Sequence, residues 1–111
     1  MVGLTSVGPG SGIRRVDEYR FEAEVIYWRG PSPFFFAPLP VDRAEDIRKV
    51  ARLVTYGWGM IPAEVKIGDT QWTTSLFPKD GGYVVPVKQW VREAEGVELG
   101  DTVAVRLSLS I

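Results

Sequence analysis

The residues whose types could do chemistry are concentrated in one segment of this chain, between residues 68 and 101. Three cations, Lys79, Lys88 and Arg92, flank a glycine-rich turn at 80–82 and the start of a predicted helix. Backbone N–H groups in such a turn and at a helix start can hold an anion, and neighbouring cations add to the attraction. The pattern therefore predicts an anion or carboxylate site beside this turn.

Aromatic and hydroxyl groups adjoin the cations. The chain holds four tryptophans and four tyrosines, which is more than packing alone tends to use in a domain of this size. An aromatic rim at one end of a small barrel would suit a small anionic or aromatic ligand, or a peptide. The candidate ligand-binding residues are Ser75, Lys79, Tyr83, Lys88, Arg92 and Trp72.

Ordinary surface pairing is the alternative for the two cations of the predicted helix. Lys88 and Arg92 could pair instead with Glu64, Glu93 or Glu95. Exposed ion pairs of this kind are common and contribute little to stability. The sequence leaves both interpretations open.

Nucleophilic catalysis is restricted by two absent residue types. The chain contains neither histidine nor cysteine. Ser-His-Asp and Cys-His nucleophiles are therefore excluded, as is a zinc site with nitrogen and sulfur ligands. A Ser-Lys pair remains open, with Ser75 and either Lys79 or Lys88, but it needs a lysine desolvated enough to lose its proton.

Three aspartates could in principle supply paired carboxylates. Asp69, Asp80 and Asp101 each adjoin a glycine, and this context is typical of turns in which aspartate makes local hydrogen bonds. Their spacing does not match a calcium-binding loop. We therefore expect turn roles for all three, with no metal site and no cofactor.

Composition limits the domain count and the class of partner. The chain has 13 Lys and Arg against 14 Asp and Glu, a balance that supplies no electrostatic footprint for nucleic acid or an anionic membrane. No signal peptide is recognisable, and no apolar run reaches the roughly 18 residues that cross a bilayer. We expect a cytoplasmic protein with a flexible Gly/Ser/Pro-rich leader at 1–17 and a single β-barrel domain at 18–111.

Hydrophobic periodicity and turn residues place the elements that must position the candidate site. Period-two alternation or aromatic runs predict strands at 19–28, 34–39, 63–67, 71–77, 83–85 and 103–111. One helix is predicted to open at Asp42, and a second to have Pro86 at its first position and a buried stripe of Val87, Trp90, Val91 and Ala94. The 68–70 and 80–82 segments are predicted hairpin turns. Tyr56 and Trp58 are predicted to close one end of the core.

This order of elements predicts the fold class. Two strands, a helix, three strands, a helix and a strand indicate a mostly β fold, a small closed or pseudo-barrel of about six strands capped by two α-helices. The last strand alternates cleanly and is predicted to leave an unpaired edge. Because such an edge invites pairing with another copy, a homodimer is an expected partner state.

Several motifs resemble the prokaryotic family called domain of unknown function 1905. They are WTTSLFPK at 72–79, GYVVPVK at 82–88, the pair Val91-Arg92, Gly96, and GDTV at 100–103. An F-x-A-x-V strand at 21–25 and an aromatic strand ending in Leu39-Pro40 also fit. The resemblance implies a fold like the double-split barrels and no activity. Some family members carry a second domain associated with bacteriocin protection, and no function of that domain is transferred to this chain.

Three functions remain as hypotheses. We favour a non-catalytic binding or accessory domain that uses one end of the barrel. The first alternative is a small enzyme of isomerase or cyclase type that relies on Lys and Arg electrostatics. The second is nucleic-acid binding by analogy with other double-split barrels, which rests on the fold alone and which the acidic balance opposes.

Overall fold

A computed structural model describes residues 18–30, 34–54 and 59–110 of the chain, and for 51–54 it describes the backbone alone. The predicted leader at 1–17 lies outside these residues, as do Tyr56 and Trp58.

Seven strands and two helices make up the described residues. They are β1 (Glu18–Glu24), β2 (Ile26–Tyr27), β3 (Phe35–Pro38), α1 (Val41–Val54), β4 (Ile61–Ile67), β5 (Thr70–Lys79), β6 (Gly82–Pro86), α2 (Gln89–Glu95) and β7 (Thr102–Leu109). The mostly β class is confirmed. Neither of the two described helices is long and apolar enough to cross a membrane.

The strands form one curled antiparallel sheet in the order β1-β7-β4-β5-β6-β3-β2. The sheet is a half-barrel and is open, because its end strands β1 and β2 are not paired with each other. The predicted closed or pseudo-barrel of about six strands is therefore wrong in strand number, and its closed form is wrong because the sheet is open.

The extra strand arises from a break at Val25. The sequence predicts one strand over 19–28, but Val25 leaves the ladder and bonds to a turn instead. Its N–H donates to the Asp101 carbonyl at 2.8 Å, and its carbonyl accepts from the Gly100 N–H at 2.9 Å. The residues before the break pair with β7, and those after it pair with β3.

The long strand β5 joins the two halves of the sheet, which are β1-β7-β4 on one side of it and β6-β3-β2 on the other. Thr70 to Leu76 pair with β4, whereas Phe77 to Lys79 pair with β6. Its alternation puts Trp72 and Leu76 into the core that both halves of the sheet share. One strand therefore carries the bend that brings β6 and β3 around toward the helices.

Strand β7 is a central strand. Thr102 to Ser108 pair with β1 on one side, and Val105 to Leu109 pair with β4 on the other. The prediction of an unpaired edge there is wrong, because a strand's partners are set by distant parts of the chain that its own alternation does not specify. The homodimer loses that support and stays a prediction.

Both predicted hairpin turns are present. Between β4 and β5, Gly68 has a φ of 60° and Asp69 has a negative φ, as in a type II′ turn. Between β5 and β6, Asp80 and Gly81 have φ values of 54° and 80°, as in a type I′ turn. The register of each hairpin follows from its turn.

The helices depart from prediction at their starts. Helix α1 begins at Val41, so Asp42 lies inside its first turn and accepts from the Arg43 N–H at 2.9 Å. Helix α2 begins at Gln89, and Pro86 is the last residue of β6, so the prediction that Pro86 opens the helix is wrong.

The predicted buried stripe of α2 is also wrong in part. Val87 and Val91 are buried, but Trp90 is 51% exposed and Ala94 is exposed. With only seven residues, α2 presents little more than one residue, Val91, to the core. Gly96 closes the helix in the left-handed conformation, as its position predicts.

Glycine substitutions in the two turns separate backbone strain from side-chain contact. A Cβ at Gly81 would meet no described atom within 4 Å, whereas a Cβ at Gly68 would overlap the Glu95 carboxylate. Both positions have positive φ, so each alanine variant bears a backbone cost. We expect Gly81→Ala to lower the free energy of unfolding by about 1 kcal/mol, in urea denaturation. Gly68→Ala should lower it by about 2 kcal/mol, because the flexible Glu95 side chain turns away and loses its hydrogen bond from Thr70. Equal losses for the two variants would contradict this assignment of the Glu95 contact.

Candidate functional site

A hollow of about 410 Å³ lies between helix α1 and the hairpin that joins β5 to β6. The two elements approach closely because small residues meet at their contact: a Cβ at Gly82 would lie 3.7 Å from the Ala44 Cβ. The hollow therefore depends on small side chains on both elements.

One face of α1 forms a wall of this hollow. Val41, Ala44, Glu45 and Arg48 follow the i, i+3, i+4, i+7 spacing that places side chains on one side of a helix, and all four line the hollow. Val41 is 76% exposed, so it contributes apolar surface at the mouth of the hollow. Leu39 and Val84 add further apolar side chains to the lining of the hollow.

Tyr83 supplies a phenol hydroxyl among the residues that line the hollow. The residue is 8% exposed, and it lies on β6 opposite Pro78. Among the described residues its side-chain hydroxyl has no hydrogen-bond partner, and the hydroxyl oxygen is not itself fully buried. The hydroxyl is therefore available to water or to a ligand in the hollow.

Four charged side chains line the same hollow, two of each sign. Lys79 Nζ pairs with Asp80 Oδ2 at 2.6 Å and lies 5.5 Å from the centre of the Trp28 ring. Arg48 is half-buried, and neither it nor Glu45 forms an ion pair with a described residue. The Arg48 guanidinium is thus the cation here whose charge is not already matched.

The other two predicted cations lie elsewhere. Lys88 is the N-cap residue of α2, and its Nζ donates to the Thr73 carbonyl at 3.4 Å. Arg92 lines a separate hollow of about 490 Å³ beside the end of α2, and its guanidinium lies 3.9 Å from the centre of the Phe35 ring. The structure brings Lys79 and Tyr83 together and leaves Lys88 and Arg92 apart from them.

Trp72 and Ser75 lie on β5 and line neither of these two hollows. Trp72 is a core residue of β5, opposite Val65, and its Nε1 is buried without a hydrogen-bond partner among the described residues. Ser75 is half-buried on the same strand, opposite Pro62. Its hydroxyl bonds to neither Lys79 nor Lys88, so the structure does not form the Ser-Lys pair.

The carboxylates proposed as surface partners of Lys88 and Arg92 are engaged elsewhere. Glu64 accepts from Gln71 at 2.5 Å, Glu93 accepts from Gln89 at 2.8 Å, and Glu95 accepts from Thr70 at 2.5 Å. Within the described residues, neither cation therefore forms the ion pairs that the alternative interpretation requires.

Two of the three turn aspartates use their carboxylates locally: Asp101 accepts from the Glu98 N–H at 2.8 Å, and Asp80 pairs with its neighbour Lys79. Asp69 is part of the β4–β5 turn, where its backbone N–H donates to the distant Glu95 at 3.2 Å. The described residues also contain no group of three metal-ligating side chains. Nothing in this arrangement assembles a pair of carboxylates for proton transfer.

Sequence reasoning missed the helix side of the hollow. Neither Arg48 nor Glu45 is among the residues that the sequence predicts for the site. Their spacing with Val41 and Ala44, at i, i+3, i+4 and i+7, is the signal that could have grouped them on one helix face.

Comparison with protein-family models identifies the family of this chain. A family model described as Domain of unknown function (DUF1905) matches residues 21–107. A search of curated proteins found none that matches this chain.

Removing the Tyr83 hydroxyl tests whether the protein uses it for folding. We expect Tyr83→Phe to change the free energy of unfolding by less than about 0.5 kcal/mol, since no protein hydrogen bond is lost. The matched control is Thr70→Val, which removes a hydroxyl that donates to Glu95 and should cost about 1.5 kcal/mol. Urea denaturation at 25 °C measures both. A loss for Tyr83→Phe as large as that for Thr70→Val would show that the phenol has a structural partner.

Proposed function

The chain belongs to the DUF1905 family, and from that premise we propose that it is a non-catalytic binding domain for a small anionic ligand with an apolar or aromatic body. The ligand would occupy the hollow between α1 and the β5–β6 hairpin. The observation that carries the proposal is that Tyr83, whose hydroxyl has no hydrogen-bond partner among the described residues, lines the same hollow as Arg48, which forms no ion pair with a described residue.

The chemistry of the walls supports an amphipathic ligand. Arg48 could donate a bidentate pair of hydrogen bonds to a carboxylate, and the Tyr83 hydroxyl could donate a third. Leu39, Val41 and Val84 would cover the apolar body of the ligand. A concave site that is largely apolar, with a few polar groups that fix orientation, is the usual form of a small-molecule site.

The finer fold assignment is also part of this proposal. We infer a double-split type of half-barrel, since two runs of chain, 18–27 and β5, each pair with both halves of the sheet. That arrangement supports the expected relation to double-split barrels. It carries no function by itself.

The alternative functions have no comparable support. An isomerase or cyclase using Lys88 and Arg92 would need both cations at one site. Lys88 instead donates to the Thr73 carbonyl, whereas Arg92 lines the hollow beside the end of α2. Nucleic-acid binding stays an analogy of fold, opposed by a net charge of −1.

Binding of 3-phenylpropionate tests the proposed site, because this probe has one carboxylate and an aromatic body. We expect isothermal titration calorimetry to show binding that Arg48→Gln weakens by about tenfold, as loss of a charged hydrogen bond would. Tyr83→Phe should weaken it by about threefold to fivefold. Lys49→Gln removes an exposed cation one residue along the same helix and should leave affinity unchanged.

Two further probes separate the parts of the ligand. The neutral analogue 3-phenylpropanol tests the charge, and acetate tests the aromatic body. Both should bind more weakly than 3-phenylpropionate. Equal affinity of the wild-type protein and Arg48→Gln for 3-phenylpropionate, or no binding of any probe, would reject this site.

A further inference from the structure

A second set of cations lies on the outer face of the sheet, away from the hollow described above. The register places Arg20 of β1 directly opposite Arg106 of β7, and Arg106 directly opposite Lys66 of β4. Directly opposite residues share a face of the sheet. Arg20, Arg106 and Lys66 therefore form a row across three adjacent strands, which we call the cation row.

Like charges directly opposite each other on neighbouring strands are destabilising. The neighbouring residues Phe21, Val65 and Val105 are buried, so the alternation of each strand places the three cations on the outer face. Alternation does not determine the sign of the charge at these positions. Glu18, Glu22 and Glu64 occupy the diagonal positions beside the row on the same face. Among the described residues, Glu18 alone of these comes within 4.0 Å of a cation of the row, so part of the positive charge is not matched by an ion pair.

The cation row borders a hollow of about 490 Å³. The neighbouring row of outward-facing positions contains the small residues Ala104 and Gly68, which leave a depression between the larger side chains. Glu22 is the lining carboxylate among the described residues, and it lies at one end of this row, opposite Ala104. Three cations thus line a concave surface with small residues at its base.

The protein neutralises the cation row only in part. One carboxylate, Glu18, lies 4.0 Å from Arg20 Nε and 3.9 Å from Arg106 Nε, beyond hydrogen-bond distance in both cases. Glu64, beside Lys66 on β4, is engaged by Gln71 at 2.5 Å. Among the described residues, Lys66 forms no ion pair.

We propose that the cation row is a binding site for a compact phosphate anion, and specifically for a diphosphate group. Adjacent strands are about 4.8 Å apart, so the row extends over roughly 10 Å. A diphosphate carries its oxygens along a line and can contact all three cations, whereas a single phosphate reaches fewer of them. The site is separate from the hollow at Tyr83 and does not depend on the function proposed there.

A compact ligand fits this surface better than a nucleic-acid backbone. Extended phosphate backbones are held by a stripe of several cations along a protein face. Here the cation row is three residues long and is bordered by Glu18, Glu64 and Glu22. These carboxylates would repel the next phosphates of a strand.

Titration of the full chain with pyrophosphate at constant ionic strength tests the site. We expect binding at least tenfold tighter than that of inorganic phosphate, and Arg106→Gln to weaken it by about tenfold or more, since the central cation is lost. Glu18→Gln should strengthen binding severalfold, because it removes the carboxylate that competes for Arg20 and Arg106. Lys49→Gln is the charge-matched control and should have no effect.

Lys66→Gln serves as a second variant, with circular dichroism and urea denaturation to show that each variant is folded. It should also weaken pyrophosphate binding, while the stability of the free protein stays equal or rises as a like-charge contact is removed. A 12-nucleotide single-stranded DNA serves as the competing source of phosphate. Pyrophosphate affinity that neither Arg106→Gln nor Lys66→Gln changes, or DNA binding that pyrophosphate does not displace, would overturn the proposal.

Discussion

The two backbone hydrogen bonds of Val25 hold the fold together at the point where its sheet would otherwise come apart. A backbone N–H and C=O that leave a ladder must find other partners when buried, and Val25 finds them in Gly100 and Asp101. That turn immediately precedes β7, so it is fixed by the same strand that pairs with β1. The break therefore lets one run of chain serve both ends of an open sheet.

The two surfaces with available charge owe their shapes to small residues. Gly82 and Ala44 let α1 lie close to the β5–β6 hairpin, and Ala104 and Gly68 lower the outer face beside the cation row. Among the described residues, Arg48 at the first surface and Lys66 at the second form no ion pair. Small residues therefore shape both surfaces, and each surface also carries a cation without an ion-pair partner.

Local features of the fold could be predicted from the sequence, and features set by distant contacts could not. The turns at Gly68 and Gly81 were predictable because positive φ restricts residue type within the turn itself. The pairing of β7 with a strand on each side was not predictable. Alternation indicates which face of a strand is buried, but it does not indicate which strands lie next to it. Trp90 was assigned to the core by its spacing, yet α2 is too short for that spacing to decide burial.

The same distinction applies to the candidate site. Lys79 and Tyr83 are joined by one hairpin, so their proximity was within reach of sequence reasoning, whereas Arg48 comes from a helix some 30 residues earlier in the chain.

The pairing of β1 with β7 joins segments about 80 residues apart, and this separation has a consequence for how the protein is made. On the ribosome, the β4, β5 and β6 segments can form their consecutive hairpins as soon as they emerge, but β1 has no ladder partner until the β7 segment has been synthesised. Pairings of such high contact order form slowly. The apolar residues of β1 stay exposed during that interval, and we expect this strand to be the part of the nascent chain that chaperones bind.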